Sequence, residues 1–375
     1  MTRTADVAIV GAGIVGAACA RALARAGQRV IVVDAGPIGG GATAAGMGHV
    51  VVMDDSPAQL ALTHYSQQLW DALADQLPAS AERQACGTIW VAADDEEMAE
   101  VHRKQQLFAA AGIAAEVLGP AELTRHEPHL RSGLAGGLRV TGDTVVYPPC
   151  ATGWLIDDAL LHGAVLTRGV HVVAIAAGRV DLADGSHIVA GTVINAAGAA
   201  ATILSPELPI RKRKGHLVIT DRYPGSVTHQ LLELGYLKSA HGSDRDSVAF
   251  NVQPRSTGQL LVGSSRQYDV DSPEVDRAIL SRMIARAIEY MPDLARLSAI
   301  RVWTGFRAAT PDSLPLVGPH PSQCGVYIAA GHEGLGITTS LGTGELLADQ
   351  ILGRESAIDV APYLPERFQG AALHG

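Results

Sequence analysis

The sequence predicts an α/β fold in which a nucleotide-binding domain with a mainly parallel sheet carries an inserted, mostly antiparallel β-sheet domain. First, an apolar strand runs into Gly11-x-Gly13-x-x-Gly16, and after a helical stretch a second apolar strand ends in Asp34. Second, similar apolar strands recur at residues 192–195 and 326–330. Third, the segments between them alternate apolar and polar residues. Uniformly apolar strands favour a buried parallel sheet, whereas alternation favours an antiparallel one.

The glycine motif predicts a dinucleotide site, because each part has a physical role. Gly11 allows a tight turn, Gly13 lets the backbone approach a pyrophosphate, and Gly16 lets the helix pack close to the strand. The N-terminus of that helix offers N–H groups and a positive dipole end to the diphosphate. The Asp34 carboxylate can accept a hydrogen bond from a ribose 2′-OH and would repel a 2′-phosphate, which favours FAD or NAD over NADP.

Composition narrows the class of protein. With 375 residues, 47% of them apolar, the chain is long enough for two globular domains. A net charge of −9 argues against nucleic-acid partners, and the basic run at residues 211–214 is interpreted as a solvated turn. The apolar stretch at residues 7–20 resembles a signal-peptide core, but three glycines interrupt it, and no stretch reaches the roughly 18 apolar residues of a transmembrane helix. A soluble protein is therefore expected.

The four cysteines predict neither a metal site nor a disulfide framework. Cys19, Cys86, Cys150 and Cys324 are scattered without a CxxC pair, and the 14 histidines show no metal-ligand spacing. This usage fits a reducing compartment, so the expected location is cytoplasmic, and no iron–sulfur or zinc site is expected in this chain.

The pattern along the chain predicts the following elements. Helices are expected at residues 56–77, 96–111, 152–161, 274–290 and from 336 to about 352. Strands are expected at residues 88–92, 143–149 (closed by two prolines), 169–175, 179–183, 187–189, 192–195, 217–220, 248–252, 259–263 and 326–330. The expected nucleotide-binding domain comprises residues 1–80, 145–210 and 305–375, and the expected substrate-binding domain comprises residues 81–144 and 211–304.

At this point the chain resembles the FAD-dependent amine and amino-acid oxidoreductases of the D-amino-acid oxidase type, which include glycine and sarcosine oxidases. The resemblance spans nearly the whole chain and rests on six matches in the same order. They are Gly11-x-Gly13-x-x-Gly16 with Asp34, Thr43-Ala-Ala-Gly46-Met47, Val172 after a glycine turn, Asn195-Ala-Ala-Gly198, Gly305-Phe-Arg307-Ala-Ala-Thr-Pro-Asp312, and Gly331-His332-x-Gly334-x-Gly336. The fold that it implies is a Rossmann-like FAD-binding domain.

Within that family, residues 46–60 are similar to one branch, the FAD-binding β subunits of D-hydroxyproline dehydrogenases and opine oxidases. The resemblance implies contacts to FAD for five groups of residues. The motif glycines and Asp34 would hold the ADP half, and the backbone of Val172 would meet the adenine. The remaining implied contacts are Ala197 and Gly198 beside the diphosphate, Thr43, Ala45, Gly46 and Met47 along the ribityl chain and flavin, and the backbone of Gly334, Leu335, Gly336, Ile337 and Thr338 at the flavin pyrimidine edge.

The resemblance also implies a catalytic set. Arg307 matches the arginine that grips a substrate carboxylate, and a guanidinium suits this role because it makes two parallel N–H···O bonds. Relatives of the sarcosine-oxidase type carry a flavin-linking cysteine near this motif. Residues 303–312 contain none, so FAD is expected to bind without a covalent bond.

His49 and His332 lie in glycine-rich stretches expected to border the flavin. Each is either a catalytic polar contact that can accept a proton near neutral pH, or a packed histidine. Glu233, Tyr236 and Lys238 lie in the inserted domain, where a surface loop is favoured over a lid.

The predicted activity is oxidation of the C–N bond of a small amino or imino acid, by hydride transfer from the α-carbon to flavin N5. A D-amino acid, most specifically cis-4-hydroxy-D-proline, is the expected substrate. An oxygen-using glycine or sarcosine oxidase, a subunit inactive without its partners, and an NAD-dependent dehydrogenase remain alternatives, the last disfavoured by the two flavin-type elements at residues 43–47 and 331–336. Because the chain lacks cysteine spacing for a cluster, an electron-accepting partner subunit is expected.

Overall fold

The computed structural model describes residues 2–235 and 246–369. Two compact units form. The first contains the described residues up to Ala81, then Tyr147–Lys212, and the described residues from Phe306 onward. The second contains Glu82–Val146 and the described part of Arg213–Gly305. These limits differ by one or two residues from the domain boundaries expected at residues 80, 145, 210 and 305.

Among the described residues, the strands are β1 (Thr2–Val10), β2 (Val30–Asp34), β3 (His49–Val50), β4 (Thr88–Ala92), β5 (Ala115–Leu118), β6 (Gly136–Val140), β7 (Thr144–Val145), β8 (Val165–Arg168), β9 (Val172–Ala176), β10 (Arg179–Leu182), β11 (His187–Asn195), β12 (Arg211–Arg222), β13 (Gln230–Glu233), β14 (Ser247–Pro254), β15 (Gln259–Tyr268), β16 (Ala299–Ala309), β17 (Leu316–Pro319) and β18 (Val326–Ala330). The helices are α1 (Ile14–Arg25), α2 (Ala42–Ala45), α3 (Pro57–Ala72), α4 (Asp95–Ala110), α5 (Pro120–His126), α6 (Pro148–Leu161), α7 (Ala201–Leu204), α8 (Arg277–Tyr290) and α9 (Gly336–Leu352).

The first unit is built on a sheet with the order β17-β18-β11-β1-β2-β8. The pairs from β18 to β8 are parallel, and β17 joins the edge antiparallel to β18. The carboxyl ends of β1, β2 and β11 therefore lie side by side, and these strands end at Val10, Asp34 and Asn195. Ligands bind at this edge of open parallel sheets, so the fold brings the glycine motif, Asp34 and the segment after Asn195 together.

Two predictions within this unit are wrong at the level of single elements. Residues 187–189 and 192–195 form one strand, β11, rather than two. The two prolines at positions 148 and 149 begin helix α6 instead of closing a strand. A proline in the first turn of a helix loses no hydrogen bond, since the N–H groups there have no partner within the helix.

The second unit is built on a sheet with the order β16-β12-β15-β14-β13-β4-β6-β5. The β12–β15, β15–β14, β14–β13, β4–β6 and β6–β5 pairs are antiparallel, and the β13–β4 pair is parallel. One face carries an apolar core that includes Ile89, Leu231 and Phe250 together with Met283 of α8. The Phe250 and Tyr290 rings stack there with centroids 4.6 Å apart.

The basic run and the lid candidates require corrections. The run at residues 211–214 begins strand β12 rather than a solvated turn, and the Lys214 ammonium is buried, donating to the Glu274 carbonyl oxygen. Glu233 is not in a surface loop: it lies in β13, is 2% exposed and pairs with the Arg286 guanidinium. A buried carboxylate requires such a partner. Tyr236 and Lys238 lie outside the described residues.

Within the described ranges, no helix is long and apolar enough to cross a membrane.

Candidate functional site

The turn between β1 and α1 depends on two glycines. Gly11 has a φ of +111°, a conformation that favours glycine, and a Cβ there would lie 2.5 Å from the Ala196 carbonyl oxygen. A Cβ on Gly16 would lie 2.0 Å from the Gly11 carbonyl oxygen. The turn, the helix and the end of β11 thus come so close together that neither position accepts a side chain.

Gly13 differs from its two neighbours in the motif. It has an ordinary φ of −67°, and a Cβ there would meet only Thr43 Oγ1, at a normal contact distance of 3.5 Å. None of the residues that the structure describes therefore requires glycine at this position. A ligand that approaches the backbone closely gives a reason for it.

The N-terminus of α1 is suited to an anion. Gly13 provides no side-chain cap, and no acidic residue lies in the first turn. The Thr43 hydroxyl accepts from the Ile14 N–H at 3.1 Å, so Thr43 (expected beside the ribityl chain and flavin) also fixes the start of this helix. A helix start whose N-cap residue is a glycine, with further free N–H groups and a positive dipole end, is a common diphosphate site.

Asp34 closes the turn at the end of β2. Its Oδ2 accepts from the Ala12 N–H at 2.6 Å and its Oδ1 from the Gly36 N–H at 2.7 Å. Each carboxylate oxygen has a further lone pair, so the group retains the capacity to accept from a ribose hydroxyl. The hydrogen bonds fix the orientation of the carboxylate beside the glycine turn.

A second helix start, that of α9, lies next to the first. Leu335 provides no side-chain cap, and no acidic residue lies in the first turn. A Cβ on Gly336 would lie 3.9 Å from Val15 Cγ2 of α1. The backbone from Gly334 to Thr338 thus leads into a helix whose positive dipole end adjoins the glycine motif. Such a helix end would stabilise negative charge at the pyrimidine edge of a flavin.

The segment from Thr43 to Val51 packs against this helix start. A Cβ on Gly46 would lie 2.8 Å from Ile337 Cδ1. The Thr338 hydroxyl donates to the His49 carbonyl oxygen at 3.0 Å and accepts from the Val51 N–H at 3.3 Å. Ala45 and Met47 lie in the same segment, Met47 buried. The two elements expected to border the flavin therefore form one connected surface.

Trp70 was not identified from the sequence. It is fully buried in α3, and its indole N–H lies 3.2 and 3.1 Å from the carbonyl oxygens of Ile337 and Thr338. This bond fixes the first turn of α9. The only sequence signal is a tryptophan within an amphipathic helix, which indicates packing and not this contact.

Arg307 is brought to the same loop by strand β16. The Glu333 N–H donates to the Ala308 carbonyl oxygen at 2.7 Å, and Ala309 forms a β-bridge with His332. A Cβ on Gly334 would lie 3.7 Å from Arg307 Nε. The guanidinium stem thus runs alongside the loop that precedes α9, within the first unit. A half-buried guanidinium there can hold a carboxylate in a fixed direction.

The surroundings of His332 distinguish between its two alternatives, a catalytic polar contact and a packed histidine. The ring is buried, its Nε2 lies 2.9 Å from Thr343 Oγ1, and burial lowers the pKa of His332 to about 3. A ring with that pKa is neutral near pH 7 and is a weak base. The geometry favours the alternative, a packed histidine. His49 is half-buried at the start of β3, beside Thr338.

The remaining expected contacts lie at the edge of the same sheet. Ala197 and Gly198 follow β11 directly, and a Cβ on Gly198, which has a φ of +57°, would meet nothing within 4 Å. Val172 begins β9 and pairs with Leu182 of β10. It packs against the apolar cluster that includes Ile31 and Val33 of β2.

These observations fit a flavin dinucleotide. The features that match a diphosphate, a flavin edge and a ribose are two helix starts whose N-cap residues provide no side-chain cap, an open position at Gly13 and an oriented carboxylate at Asp34. Burial raises the pKa of the Cys19 thiol to about 12 and that of Cys86 to about 11, so both are protonated and unreactive. Within residues 2–235 and 246–369, no group of three or more His, Cys, Asp or Glu side chains could hold a metal ion.

Three relatives are similar to this chain. A glycine oxidase of Geobacillus kaustophilus is 30% identical, covering 99% of both chains. The crystal structure of glycine oxidase from that organism has a TM-score of 0.87 at 29% identity, covering 97% of this chain and 99% of that one. The hydrogen cyanide synthase subunit HcnC of Pseudomonas aeruginosa is 29% identical over 98% of this chain and 97% of that protein. A D-amino acid dehydrogenase of Xanthobacter autotrophicus is 29% identical over 84% of this chain and 74% of that protein.

The family model described as FAD dependent oxidoreductase (DAO) matches residues 6–350. This match covers most of the chain, including the glycine motif, Arg307 and the start of α9. The protein therefore belongs to the DAO family of FAD-dependent oxidoreductases.

Proposed function

We propose that the protein oxidises the C–N bond of a small amino or imino acid. The position of Arg307 carries this proposal. Its side chain runs beside Gly334 at the loop before α9, where the helix start adjoins the glycine motif. A guanidinium there can clamp an α-carboxylate through two parallel hydrogen bonds and so fix the direction of the α-carbon.

The cofactor contacts follow from the same surface. Gly11, Gly13, Gly16 and Asp34 would hold the ADP half of FAD, with Ala197 and Gly198 beside the diphosphate and the backbone of Val172 at the adenine. Thr43, Ala45, Gly46 and Met47 would hold the ribityl chain and flavin, together with the backbone of Gly334, Leu335, Gly336, Ile337 and Thr338. We expect non-covalent binding, since residues 303–312 contain no cysteine.

When bound, FAD supplies the hydride acceptor, which no amino-acid side chain provides. The chain's own contribution is orientation and electrostatics. The α9 dipole stabilises negative charge at its N-terminus, and Arg307 fixes the substrate. A substrate amine that is already neutral needs no strong base, which agrees with a neutral His332. His49 is the remaining candidate for a polar contact to substrate.

For the substrate we propose a D-amino acid, most specifically cis-4-hydroxy-D-proline. The similarity of residues 46–60 to the hydroxyproline dehydrogenase branch supports this choice, as does a D-amino acid dehydrogenase among the relatives. The second candidate is an oxygen-using oxidase of the glycine or sarcosine type, which the 30% identity to a glycine oxidase favours.

Electron transfer to a partner subunit is part of the proposal. One relative is itself a subunit of a hydrogen cyanide synthase, and the dispersed cysteines offer no cluster site within this chain. The unpaired cysteines among the described residues support a reducing compartment, and we propose the cytoplasm.

One assay separates these candidates. The purified holoprotein is mixed with D- and L-amino acids, prolines and N-methyl glycines, with an artificial electron-accepting dye or with oxygen alone. Dye reduction without peroxide supports the dehydrogenase, and stoichiometric peroxide at the turnover rate supports the oxidase. Activity that appears only when partner subunits are added supports the subunit alternative, and failure of every amino and imino acid to reduce the flavin contradicts the proposal.

A further inference from the structure

The loop before α9 contains three glycines, and the fold explains only two of them. Gly331 has a φ of +82°, which favours glycine, and a Cβ on Gly336 would make a tight contact of 3.3 Å with His332 Cβ. Gly334 has neither restraint, since its φ lies outside the positive range. Apart from its chain neighbours, the only described atoms within 4 Å of a Cβ there are Arg307 Nε at 3.7 Å and Cδ at 3.9 Å. Both are ordinary contact distances, so these atoms do not require glycine at position 334.

The turn in this loop does not require Gly334 either. The Leu335 N–H donates to the His332 carbonyl oxygen at 2.9 Å, so Glu333 and Gly334 are the two central residues of a turn. Glu333 has a φ of +46°, the conformation for which glycine is the favoured residue. The sequence thus has glutamate at the central position that favours glycine and glycine at the one that does not. A ligand beside the loop gives a reason for this arrangement.

The missing side chain leaves space directly beside the Arg307 side chain. Gly334 is exposed, so this space is open to a ligand. In a substrate whose carboxylate binds the guanidinium, the α-carbon is bonded directly to that carboxylate. A side chain or ring on the α-carbon must therefore find room close to Arg307, whereas free glycine carries no such substituent and needs none.

We propose that Gly334 is a specificity-determining residue, which leaves room for the side chain or ring of an α-substituted amino or imino acid held by Arg307. This proposal rests on the proposed function, since it assumes that Arg307 binds the substrate carboxylate. It narrows the substrate class to amino and imino acids that carry a substituent on the α-carbon. Gly334 itself takes no part in bond breaking.

The test compares the wild-type holoenzyme with Gly334→Ala and Gly334→Val, which fill the space in two steps. Alanine adopts the φ of Gly334 without strain, so the variant should fold normally. The matched control is Gly153→Ala in α6 of the same unit, where φ is also outside the positive range and a Cβ would meet nothing within 4 Å. The substrates are glycine, D-alanine and D-proline, each with kcat/KM as the readout.

Two further ligands test the space without turnover. Acetate and cyclopentanecarboxylate match glycine and proline in outline but have no C–N bond to oxidise. Their Kd values are measured from the change that each causes in the flavin absorbance. FAD content and melting temperature are measured for every variant.

We expect the wild type to oxidise D-proline at least as well as glycine. Gly334→Ala should lower kcat/KM for D-proline and raise the Kd of cyclopentanecarboxylate, each roughly tenfold, because the added methyl overpacks the space that the ring needs. Gly334→Val should have a larger effect. The values for glycine and acetate, the FAD content and the control should stay unchanged.

Three results would overturn the proposal while leaving the proposed function intact. Equal losses for glycine and D-proline would show that the methyl disturbs only the carboxylate contact of Arg307. Lost FAD with an unchanged ratio of the two substrates would show that the flavin requires Gly334. A wild type that oxidises glycine alone would show that the space is not used. If no amino or imino acid reduces the flavin, the proposed function fails; equal effects on the two carboxylates, or binding of neither, would then overturn this proposal too, whereas a selective loss of cyclopentanecarboxylate would support it.

Discussion

Replacing Gly13 with alanine should separate FAD binding from folding. Gly13 has a φ of −67°, which alanine adopts without strain, and the added methyl would lie 3.5 Å from Thr43 Oγ1. The protein without cofactor should therefore be as stable as wild type, within about 0.5 kcal/mol. Gly16→Ala is the matched comparison, because there the methyl would lie 2.0 Å from the Gly11 carbonyl oxygen.

The magnitudes follow from where each methyl lies. In Gly16→Ala the turn must move, and overpacking of this kind costs about 1–3 kcal/mol of folding stability or more. In Gly13→Ala the same steric cost falls on the diphosphate, so FAD affinity should drop on the order of 10- to 100-fold. Gly13→Ala should thus lose cofactor at normal stability, whereas Gly16→Ala should lose stability even without cofactor.

The assay has two parts. Flavin absorbance after purification and after reconstitution gives the FAD affinity, and chemical unfolding of the cofactor-free proteins gives their stability. Full FAD affinity in Gly13→Ala would refute the assignment of this glycine to the pyrophosphate. An equal loss of cofactor-free stability in both variants would show that Gly13, too, is required only by the fold.

Three further predictions concern the site. Arg307→Ala should raise the KM roughly 30- to 1,000-fold with normal FAD content, because a lost bidentate pair costs about 2–4 kcal/mol. Arg307→Lys should raise the KM less. An unchanged steady-state KM together with lost flavin would show that Arg307 has a structural role. Burial lowers the pKa of His332 from 6.5 to about 3. Below pH 6.5 the unfolded chain therefore binds a proton that the native chain does not. As the pH falls, the free energy of unfolding should decrease by up to about 1.4 kcal/mol per pH unit more in the wild type than in His332→Gln, as measured by urea unfolding at pH 7.5 and 5. The same pH dependence in both proteins would contradict a buried neutral ring. Acid precipitation should release all flavin, and flavin left on the pellet would contradict non-covalent binding.

The parallel sheet and its ligand edge were predictable because their signals are local. Apolar strands at residues 30–34 and 326–330, and the glycine motif between strand and helix, depend on neighbouring residues alone. The strand at residues 88–92 was predicted with its observed bounds. Periodicity and turn chemistry therefore define this part of the fold without any long-range information.

Elements stabilised by distant partners were missed. Strand β8 has a half-exposed pattern, and only its pairing with β2 identifies it. The strand β16 that carries Arg307 was not predicted either, since its residues are largely half-exposed. Strand β12 (Arg211–Arg222) begins with four positively charged residues, a run that the sequence indicates as a solvated turn. One of them, Lys214, is buried and its ammonium donates to the Glu274 carbonyl oxygen.

The roles of single side chains were the hardest to predict. His332 and Glu233 look the same in sequence whether buried or exposed, and their burial decides their chemistry. Trp70 fixes the start of α9 through a contact between residues far apart in the chain.

Anaerobic reduction of the bound flavin by a small amino or imino acid tests the central claim most directly. Substrate added to the oxidised holoprotein without oxygen should bleach the flavin absorbance completely, with one product imine or keto acid formed per flavin. Reoxidation in air should then be slow compared with turnover in the presence of the electron acceptor. A flavin that stays oxidised with every D- and L-amino acid, proline and N-methyl glycine would contradict the account, and fast reoxidation with stoichiometric peroxide would replace the proposed dehydrogenase with an oxidase.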